Sequence, residues 1–278
     1  MPERKETIRA LSRLSLAEGE GVGTAYEYYL KLRKLRRYLG TISRPKKILI
    51  AGLPEKYGLS LDFIYLARKL GADVTVLDDR AEALDRARTA AAWLASGEGR
   101  GGISFILAKR MAEAARLFSD DVRFDLALSS EVVQRLGEDR DAYISGLQRL
   151  AKHAAVFAPN GANAAHARRS RLAGLGLEEL VSFFQKPASS WTVCDHGYVD
   201  MPPFPPGISR SPEKRERAVR SRFEAFLMKG LEGYSLCEEL CPYPIKSRVA
   251  HIVYVIAKNR TLNSRDSRDS RSGGGYLR

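Results

Sequence analysis

The first residues that could do chemistry form a glycine-containing turn and an acidic pair that follows it one strand later. Gly52 and Gly58 bound the turn GLPEKYG, which comes directly after the short apolar run 47–51. A strand that leads into such a turn and then into a helix forms a corner that binds anions or nucleosides, because glycine lets the backbone come close to the ligand. Asp78 and Asp79 end the next predicted strand. A carboxylate there can accept hydrogen bonds from both hydroxyls of a ribose, so the pattern predicts a nucleoside-binding site.

Polar residues also follow two later apolar runs, and these residues are Ser129, Ser130, Glu131 and Asn160. At the carboxyl end of a buried strand, such side chains can contact a ligand. Glu131 is a candidate catalytic residue, although the helix dipole alone also favours an acid in the first turn of a helix. Asn160 is a candidate for substrate binding, or else only a turn residue.

The stretch 186–210 interrupts the regular pattern of the chain, and four prolines in MPPFPP exclude both helix and strand there. His196 in this stretch is a candidate catalytic base, with His166 as a second candidate, although a lone histidine is more often structural. Three aromatic residues could stack on a flat substrate or else pack the stretch against the sheet edge. They are Trp191, Tyr198 and Phe204.

Metal binding is not predicted. Cys237 and Cys241 have CxxxC spacing, which is not that of a zinc ribbon, and there is no second pair. A site that also used Cys194 and His196 would require all four residues to converge in space. His251 lies inside an apolar run and is expected to be packed there.

Short apolar runs alternate with helical segments through most of the chain. Strands are expected at 47–51, 74–77, 103–107, 124–128, 154–158, 177–184 and 249–257. Helices are expected at 59–70, 80–95, 109–118, 139–152 and 162–172. This alternation predicts an α/β fold, a doubly wound and mostly parallel sheet with helices on both faces. Because crossovers are right-handed, the loops that follow the strands meet at one edge, where a ligand binds.

The charge of the chain is basic and localised. The 278 residues include 46 Lys+Arg and 33 Asp+Glu, which gives a formal net charge of +13. The segments 31–37 and 210–222 carry much of this excess and could bind RNA or an anionic membrane surface, or could serve solubility alone. The first segment lies on a predicted helix, 24–39, whose apolar residues share one face, so its basic side chains are expected on the wet side.

Composition excludes several classes of protein. With 44% hydrophobic and 28% charged residues, the chain is globular rather than disordered. Three cysteines cannot form a disulfide framework, which indicates a reducing compartment such as the cytoplasm. There is neither a signal-like apolar core near the N-terminus nor an apolar run of about 18 residues, so no stable membrane insertion is expected. The tail 261–278 is of low complexity and is expected to be disordered.

Four segments together resemble the class I S-adenosylmethionine-dependent methyltransferases. KKILIAGLPEKYG is similar to their first motif, VTVLDD to the strand that ends at the ribose, FDLALSSEVVQRL to the fourth-strand motif, and AAVFAPNGAN to the fifth strand and its loop. The resemblance covers 45–184 and resumes at 249–257. It implies a Rossmann-like sheet of seven strands, with the last strand antiparallel and inserted beside the sixth. It also implies S-adenosyl-L-methionine as the cofactor and an acceptor pocket built by the segment before the last strand.

The resemblance also assigns roles to individual residues. Gly52, Pro54 and Gly58 would line the methionine part of the cofactor. Asp78, with Asp79 second, would bind the ribose. Ser129, Ser130 and Glu131 would lie between cofactor and acceptor. The sequence departs from the family at Ile50, where an acid is usual, at Pro54, where a second glycine is usual, and at Ala108 and Lys109, near which an adenine-binding Asp is usual.

These observations lead to a predicted division of the chain and to a predicted function. An N-terminal helical cap occupies 1–44, a methyltransferase-like domain 45–260, with a substrate-side insert at 186–230, and a tail 261–278. The function expected is methyl transfer to a small or medium-sized acceptor molecule. The alternatives are an RNA methyltransferase that uses the basic flanks and a non-catalytic binding protein. A nicotinamide-dependent oxidoreductase is disfavoured, because the turn lacks GxGxxG.

Overall fold

In the computed structural model, the described residues are 6–54, 58–95, 101–109, 114, 118, 124–163, 174–187, 189–201 and 222–262. The strands are β1 (Lys47–Ala51), β2 (Asp73–Asp78), β3 (Ile103–Leu107), β4 (Phe124–Ser130), β5 (Ala151–Pro159), β6 (Trp191–Val199) and β7 (Ile252–Asn259). They form one sheet in the order β3-β2-β1-β4-β5-β7-β6. β7 is antiparallel to both of its neighbours, and the other pairs are parallel. The carboxyl ends of β1, β2, β4 and β5 therefore lie along one edge of the sheet.

Eight α-helices accompany the sheet in the described residues. They are α1 (Ile8–Ala17), α2 (Val22–Leu39), α3 (Leu61–Leu70), α4 (Ala81–Ala95), α5 (Arg140–Leu150), α6 (Leu177–Phe184), α7 (Arg222–Leu240) and α8 (Tyr243–Val249). In the described part of the chain, no helix combines the length and the apolarity that crossing a bilayer requires.

Each face of the sheet has its own apolar core. Ile48 and Ile50 of β1 pack with residues of α1 to α4, whereas Leu49 and Ala51 face α5 and α6. All four are fully buried, as expected for a central strand covered on both faces. Close packing on both sides fixes the end of β1 and therefore the position of the turn that follows it.

The sixth strand does not lie where the sequence analysis places it. The expectation of a strand at 177–184 is wrong, because these residues form helix α6. Their buried members Leu177, Leu180 and Phe184 recur at the helical period of three to four residues. The sixth strand is β6, inside the stretch 186–210 that was expected to break the sheet.

Other predicted segments lie largely or wholly outside the described residues. These are the helices at 109–118 and 162–172, most of the basic segment 210–222, and most of the tail 261–278. The division of the chain at residues 44 and 260 stays a prediction.

Helix α2 carries a buried lysine, which corrects the expectation that its basic residues all lie on a wet side. Tyr28, Leu32 and Leu35 are buried, as the periodicity predicts, but Lys31 is also only 2% exposed. Its ammonium group reaches the carboxyl edge of the sheet, where it lies 3.2 Å from Oγ of Ser130. Helix α2 therefore covers part of the edge where the polar residues collect.

Candidate functional site

The turn after β1 is a corner that only glycine can form. Gly52 has a φ of +85°, and its N–H donates to the carbonyl oxygen of Leu77 at 2.7 Å. A Cβ at this position would lie 2.8 Å from Cγ2 of Val132, so any other residue would combine backbone strain with a steric clash. At the far end of the turn, a Cβ on Gly58 would lie 2.8 Å from the ring of Pro54. Neighbouring side chains therefore pack directly against the backbone at both ends of the turn, in the space that a Cβ would occupy.

Asp78 ends β2 beside this corner, and its carboxylate is 1% exposed. Oδ2 accepts the N–H of Leu53 at 2.7 Å, and Oδ1 accepts Nε of Arg80 at 2.8 Å. Burial alone would raise the pKa of Asp78, but the hydrogen bonds from Arg80 and Leu53 outweigh burial and lower it. Asp78 is therefore ionised at neutral pH, and both of its oxygens are engaged.

Arg80 closes over Asp78 and ties it to the turn. Its Nη2 donates to Oδ2 of Asp78 at 3.0 Å and to the carbonyl oxygen of Leu53 at 2.8 Å. Asp79, by contrast, is exposed, and its Oδ1 lies 3.3 Å from Nη2 of Arg135. The acid with the geometry of a ribose ligand is thus Asp78, and an arginine of the same chain occupies it.

The residues after β4 form a second polar group. Oγ of Ser129 lies 2.7 Å from the hydroxyl of Tyr143, which also bonds the carbonyl oxygen of Ala51. Ser130 meets the ammonium group of Lys31. The two serines thus join the end of β4 to helices α5 and α2, and the hydroxyl of Tyr143 also joins the end of β1 to α5.

Glu131 takes a strained backbone conformation at the carboxyl edge, with a φ of +56°, and its N–H donates to the carbonyl oxygen of Phe157 at 2.9 Å. Burial and the nearby charge of Glu27 raise the pKa of Glu131 to about 7, against the opposing effect of Lys31. Its carboxyl group can therefore hold or release a proton near neutral pH. Strained residues of this kind are common at functional sites.

A buried ion cluster beside Glu131 was not found by sequence analysis. Nζ of Lys31 lies 2.9 Å from Oε1 of Glu27 and 3.1 Å from Oδ2 of Asp62. Burial lowers the pKa of Lys31, but the charges of Asp62 and Glu27 raise it by more than burial lowers it, so the ammonium form persists. The i,i+4 spacing of Glu27 and Lys31 was the available signal, but this spacing usually marks an exposed pair.

Glu18 joins the same cluster from the segment between α1 and α2. Its carboxylate accepts the hydroxyl of Tyr28 at 2.6 Å and the backbone N–H groups of Leu59 and Leu61 at 3.0 and 2.8 Å. Burial raises the pKa of Glu18 to about 7, although these hydrogen bonds oppose the change. Glu18 thereby fixes the chain that leads from Gly58 into helix α3.

The next strand ends are held by a separate polar network. The side-chain amide of Asn160 donates to the carbonyl oxygens of Ser247 and Ala250, and its Oδ1 accepts the N–H of Ala162. Asn160 therefore anchors the loops after β5 and before β7. Next to it, Nδ1 of His251 lies 3.1 Å from Oδ2 of Asp200, and this pairing overcomes burial to raise the pKa of the imidazole.

The residues predicted to bind an acceptor are not all brought to this edge. Trp191 begins β6 at the opposite end of the strand and is buried against Phe184, with ring centroids 5.9 Å apart. His196 is exposed in the middle of the edge strand β6. Tyr198, near the end of β6, contacts the ring of Tyr243 at 5.2 Å.

Phe204 and His166 lie outside the described residues. Among the residues that the structure describes, no group of three or more His, Cys, Asp and Glu side chains could hold a metal ion.

The basic side chains of α2 are largely paired with acids. Nη2 of Arg33 lies 2.7 Å from Oε2 of Glu239 on α7, and Arg36 pairs with Glu6. Paired arginines have less positive charge to offer a phosphate backbone or an anionic membrane, because the partner carboxylate already neutralises them. Nothing at these positions favours RNA or lipid as the partner.

No protein-family model matches the chain, and no curated protein matches it. Among solved structures, the chain is similar to the [4+2]-cyclase SpnF, with a TM-score of 0.50 and 14% identity over 82% of this chain and 80% of SpnF. It is also similar to the magnesium protoporphyrin IX methyltransferase ChlM from Synechocystis PCC 6803 with bound SAH, with a TM-score of 0.49 and 12% identity over 82% of each chain.

A third similar structure is TehB from Haemophilus influenzae, with a TM-score of 0.46 and 13% identity over 82% of this chain. The chain spans 62% of the length of TehB. Similarity at these identities shows the fold alone.

The protein has the fold of the class I S-adenosylmethionine-dependent methyltransferases. The predicted Rossmann-like sheet, with its last strand antiparallel and inserted beside the sixth, is confirmed. The fold alone does not decide the reaction, since SpnF is a cyclase.

Proposed function

We propose that the protein is an S-adenosylmethionine-dependent methyltransferase. The observation that carries the proposal is a glycine-only corner at Gly52 directly beside the buried carboxylate of Asp78, at the ends of the paired strands β1 and β2. A backbone without a Cβ can approach the methionine part of the cofactor, and a carboxylate at the adjacent strand end can accept both ribose hydroxyls. When bound, the cofactor supplies an electrophilic methyl group on a sulfonium sulfur.

Cofactor binding in this site requires Arg80 to release Asp78. The guanidinium group and the ribose hydroxyls would compete for the same two carboxylate oxygens, whereas the hydrogen bond from the N–H of Leu53 can persist. Arg80 is part exposed, with 29% of its side-chain surface accessible, so it can turn toward solvent. The residues of the corner therefore fit the cofactor on the condition that this arginine moves.

The residues after β4 would act on the acceptor. Glu131 is half-buried and titrates near neutral pH, so it can take a proton from an acceptor group as a general base. Ser129 and Ser130 already have partners inside the protein. Their proposed role is to fix the end of β4 so that Glu131 faces the acceptor.

Calorimetric titration with S-adenosylhomocysteine, with NAD as the control ligand, tests the proposal. The wild-type protein should bind S-adenosylhomocysteine and should not bind NAD. Asp78→Asn should weaken binding about 30-fold, since a hydrogen bond to a charged group contributes about 2 kcal/mol. Asp85→Asn, on the exposed face of α4, is the matched control and should leave binding unchanged. A folded wild-type protein that binds neither the cofactor nor its product would overturn the proposal.

One observation favours a second candidate function, that of a non-catalytic binding protein on the same fold. The carboxylate of Asp78 is saturated by the chain's own Arg80, as it would be if the nucleoside site had been converted into a structural ion pair. Failure of both the wild-type protein and the Arg80→Ala variant to bind S-adenosylhomocysteine would favour this alternative, because the variant removes the hydrogen bonds of the arginine from both oxygens of Asp78.

A further inference from the structure

Nearly all of the large apolar side chains that are exposed in the described part of the chain lie on two consecutive helices, α7 and α8. The exception is Leu107 on β3. An exposed apolar surface on neighbouring elements marks a site of interaction, whereas apolar residues exposed singly do not. The residues of this surface are Phe226, Leu227, Leu236 and Leu240 on α7, and Tyr243, Ile245 and Val249 on α8.

Helix α7 is apolar on both of its faces. On its inner face, Met228 and Leu231 are buried in the core that also contains residues of α1 and α2. On its outer face, Phe226 is 73% exposed and Leu240 is 85% exposed. A helix that is apolar all round is normally covered on both sides, so the outer face indicates a partner. This outer face carries Phe226, Gly230, Gly233, Leu236 and Leu240.

The middle of the outer face is flat because two of its residues are glycines. Gly230 and Gly233 are exposed, and a Cβ at either position would meet no described atom within 4 Å. Glycine destabilises a helix relative to alanine, and no contact in the described part of the chain requires it at these positions. A flat surface lets another helix approach closely. The outer face therefore favours a packed helix over a membrane surface, into which large side chains would insert.

The outer face is complementary to an antiparallel copy of itself. Phe226 and Leu240 are each seven residues from Gly233, and Gly230 and Leu236 are each three residues from it. In two antiparallel helices that meet at Gly233, Phe226 of one copy is therefore level with Leu240 of the other. Each Gly230 is level with Leu236 of the other copy, so a large side chain is available to fill the space beside the glycine. A surface that matches itself in this way suits a two-fold axis.

The charges of α7 also favour an antiparallel copy. Both of its basic residues, Arg222 and Lys229, lie in its first half, and its last turn contains no basic residue. Three of its four acids lie in its second half, and they are Glu232, Glu238 and Glu239. These charges have the same signs as the ends of the helix dipole, so they are unfavourable within one helix. An antiparallel second helix compensates them, because it brings a negative end to each positive end.

We propose that the protein forms a homodimer in which the outer faces of two α7 helices pack antiparallel about a two-fold axis at Gly233. The exposed apolar residues of α8, which begins two residues after Leu240, extend the contact surface. Two-fold symmetry uses the same face on both copies and closes the assembly at two chains. The proposal does not depend on the methyltransferase function.

Sedimentation velocity of the full chain tests the association. The wild-type protein should sediment with twice the mass of one chain at micromolar concentration. Phe226→Glu should raise the dissociation constant of the dimer at least about 100-fold, because symmetry places two unpaired carboxylates in the interface. Leu107→Glu is the matched control, since it adds the same charge at an exposed leucine on β3, and it should leave the dissociation constant unchanged. Should Phe226→Glu not fold, Leu240→Glu serves as the second variant, with the same loss expected.

Disulfide cross-linking tests the geometry of the dimer. The background is a variant in which the cysteines at 194, 237 and 241 are replaced by serine. In this background Gly233→Cys should form a disulfide between copies on mild oxidation, because a residue on a two-fold axis faces its own copy. Lys229→Cys should not, since antiparallel packing separates the two copies of this residue by about 12 Å along the helix axis, and a disulfide requires Cα atoms within about 7 Å. Equal cross-linking of both variants would refute the antiparallel arrangement.

Three outcomes of these experiments would overturn the proposal. A wild-type chain that stays monomeric and sediments with vesicles of anionic phospholipid would assign the outer face to a membrane. A monomeric wild-type chain that loses thermal stability in the Phe226→Glu variant would assign the face to contacts within the same chain. A dimer that Leu107→Glu dissociates and Phe226→Glu does not would place the interface elsewhere.

Discussion

Replacement of Arg80 by alanine should increase the affinity of the protein for S-adenosylhomocysteine. In the structure, Nε and Nη2 of Arg80 donate to the two oxygens of Asp78 at 2.8 and 3.0 Å, and Nη2 also reaches the carbonyl oxygen of Leu53. Ribose hydroxyls would need these same carboxylate oxygens. The closed arrangement therefore competes with the cofactor, and its stability reduces the apparent affinity.

The size of the effect follows from the stability of the closed arrangement. Hydrogen bonds between charged groups contribute about 1.5–3 kcal/mol, but Arg80 is part exposed and regains water when it opens, so about 1–2 kcal/mol is appropriate here. The open form is then a minor population. Replacing Arg80 removes the competing closed form and should lower the apparent Kd about 5- to 30-fold. The same loss of contacts should lower the free energy of unfolding by about 1–2 kcal/mol.

Isothermal titration calorimetry at pH 8 measures the affinity, and thermal unfolding measures the stability. Arg86→Ala is the matched control, because Arg86 is an exposed residue of helix α4, which begins directly after Arg80, and its loss changes the net charge equally. Arg80→Lys should give an intermediate affinity, since lysine keeps the charge but not the two-pronged geometry. Weaker binding of S-adenosylhomocysteine by a folded Arg80→Ala variant would refute the reasoning and would show that Arg80 contacts the cofactor directly.

Three further predictions concern the backbone corner and the buried cluster. Gly52→Ala should lower the free energy of unfolding by about 1–3 kcal/mol in urea denaturation, and the additional change Val132→Ala should recover part of this loss, because the added Cβ would lie 2.8 Å from the valine side chain. Lys31→Met should cost about 3–5 kcal/mol in the same assay, because it leaves buried carboxylates unpaired, whereas Lys34→Met on the same helix should cost less than about 1 kcal/mol. Glu131→Gln should reduce the pH dependence of stability. Folding raises the pKa of Glu131 from 4.5 to about 7, so the folded state holds the proton more tightly, and between pH 5 and 8 the unfolding free energy of the wild type should fall by about 1–3 kcal/mol more than that of the variant. An equal fall in the variant would show that other groups cause it.

The strands and the corner could be predicted because their signals are local. The run 47–51 is apolar and bounded by Pro45 and Gly52, so it identifies a buried strand and a turn without knowledge of the rest of the chain. Asp78 follows the next strand, and parallel pairing of Lys47–Ala51 with residues 73–77 places the two strand ends together. Right-handed connections between parallel strands make this arrangement almost unavoidable.

The segment 177–199 shows where local signals were insufficient. LEELVSFF is a short apolar run that suits a strand or a helix, and the packing of Leu177, Leu180 and Phe184 on the core of one sheet face favours the helix. Trp191–Val199 pairs with β7, which follows it only after more than 50 intervening residues. Pairing over such a separation depends on where the whole sheet leaves an open edge.

The sequence by itself determined the class of fold, the glycine corner and the acid beside it, since these depend on residue type, spacing and chain connection. Only the tertiary structure decided that Lys31 is buried among carboxylates, that Arg80 occupies Asp78, and that Asn160 anchors two loops. The physical reason is that a charged or polar side chain has many accessible partners in an unfolded chain. Its final partner is selected when packing excludes water, and a side chain left without one would be strongly destabilising.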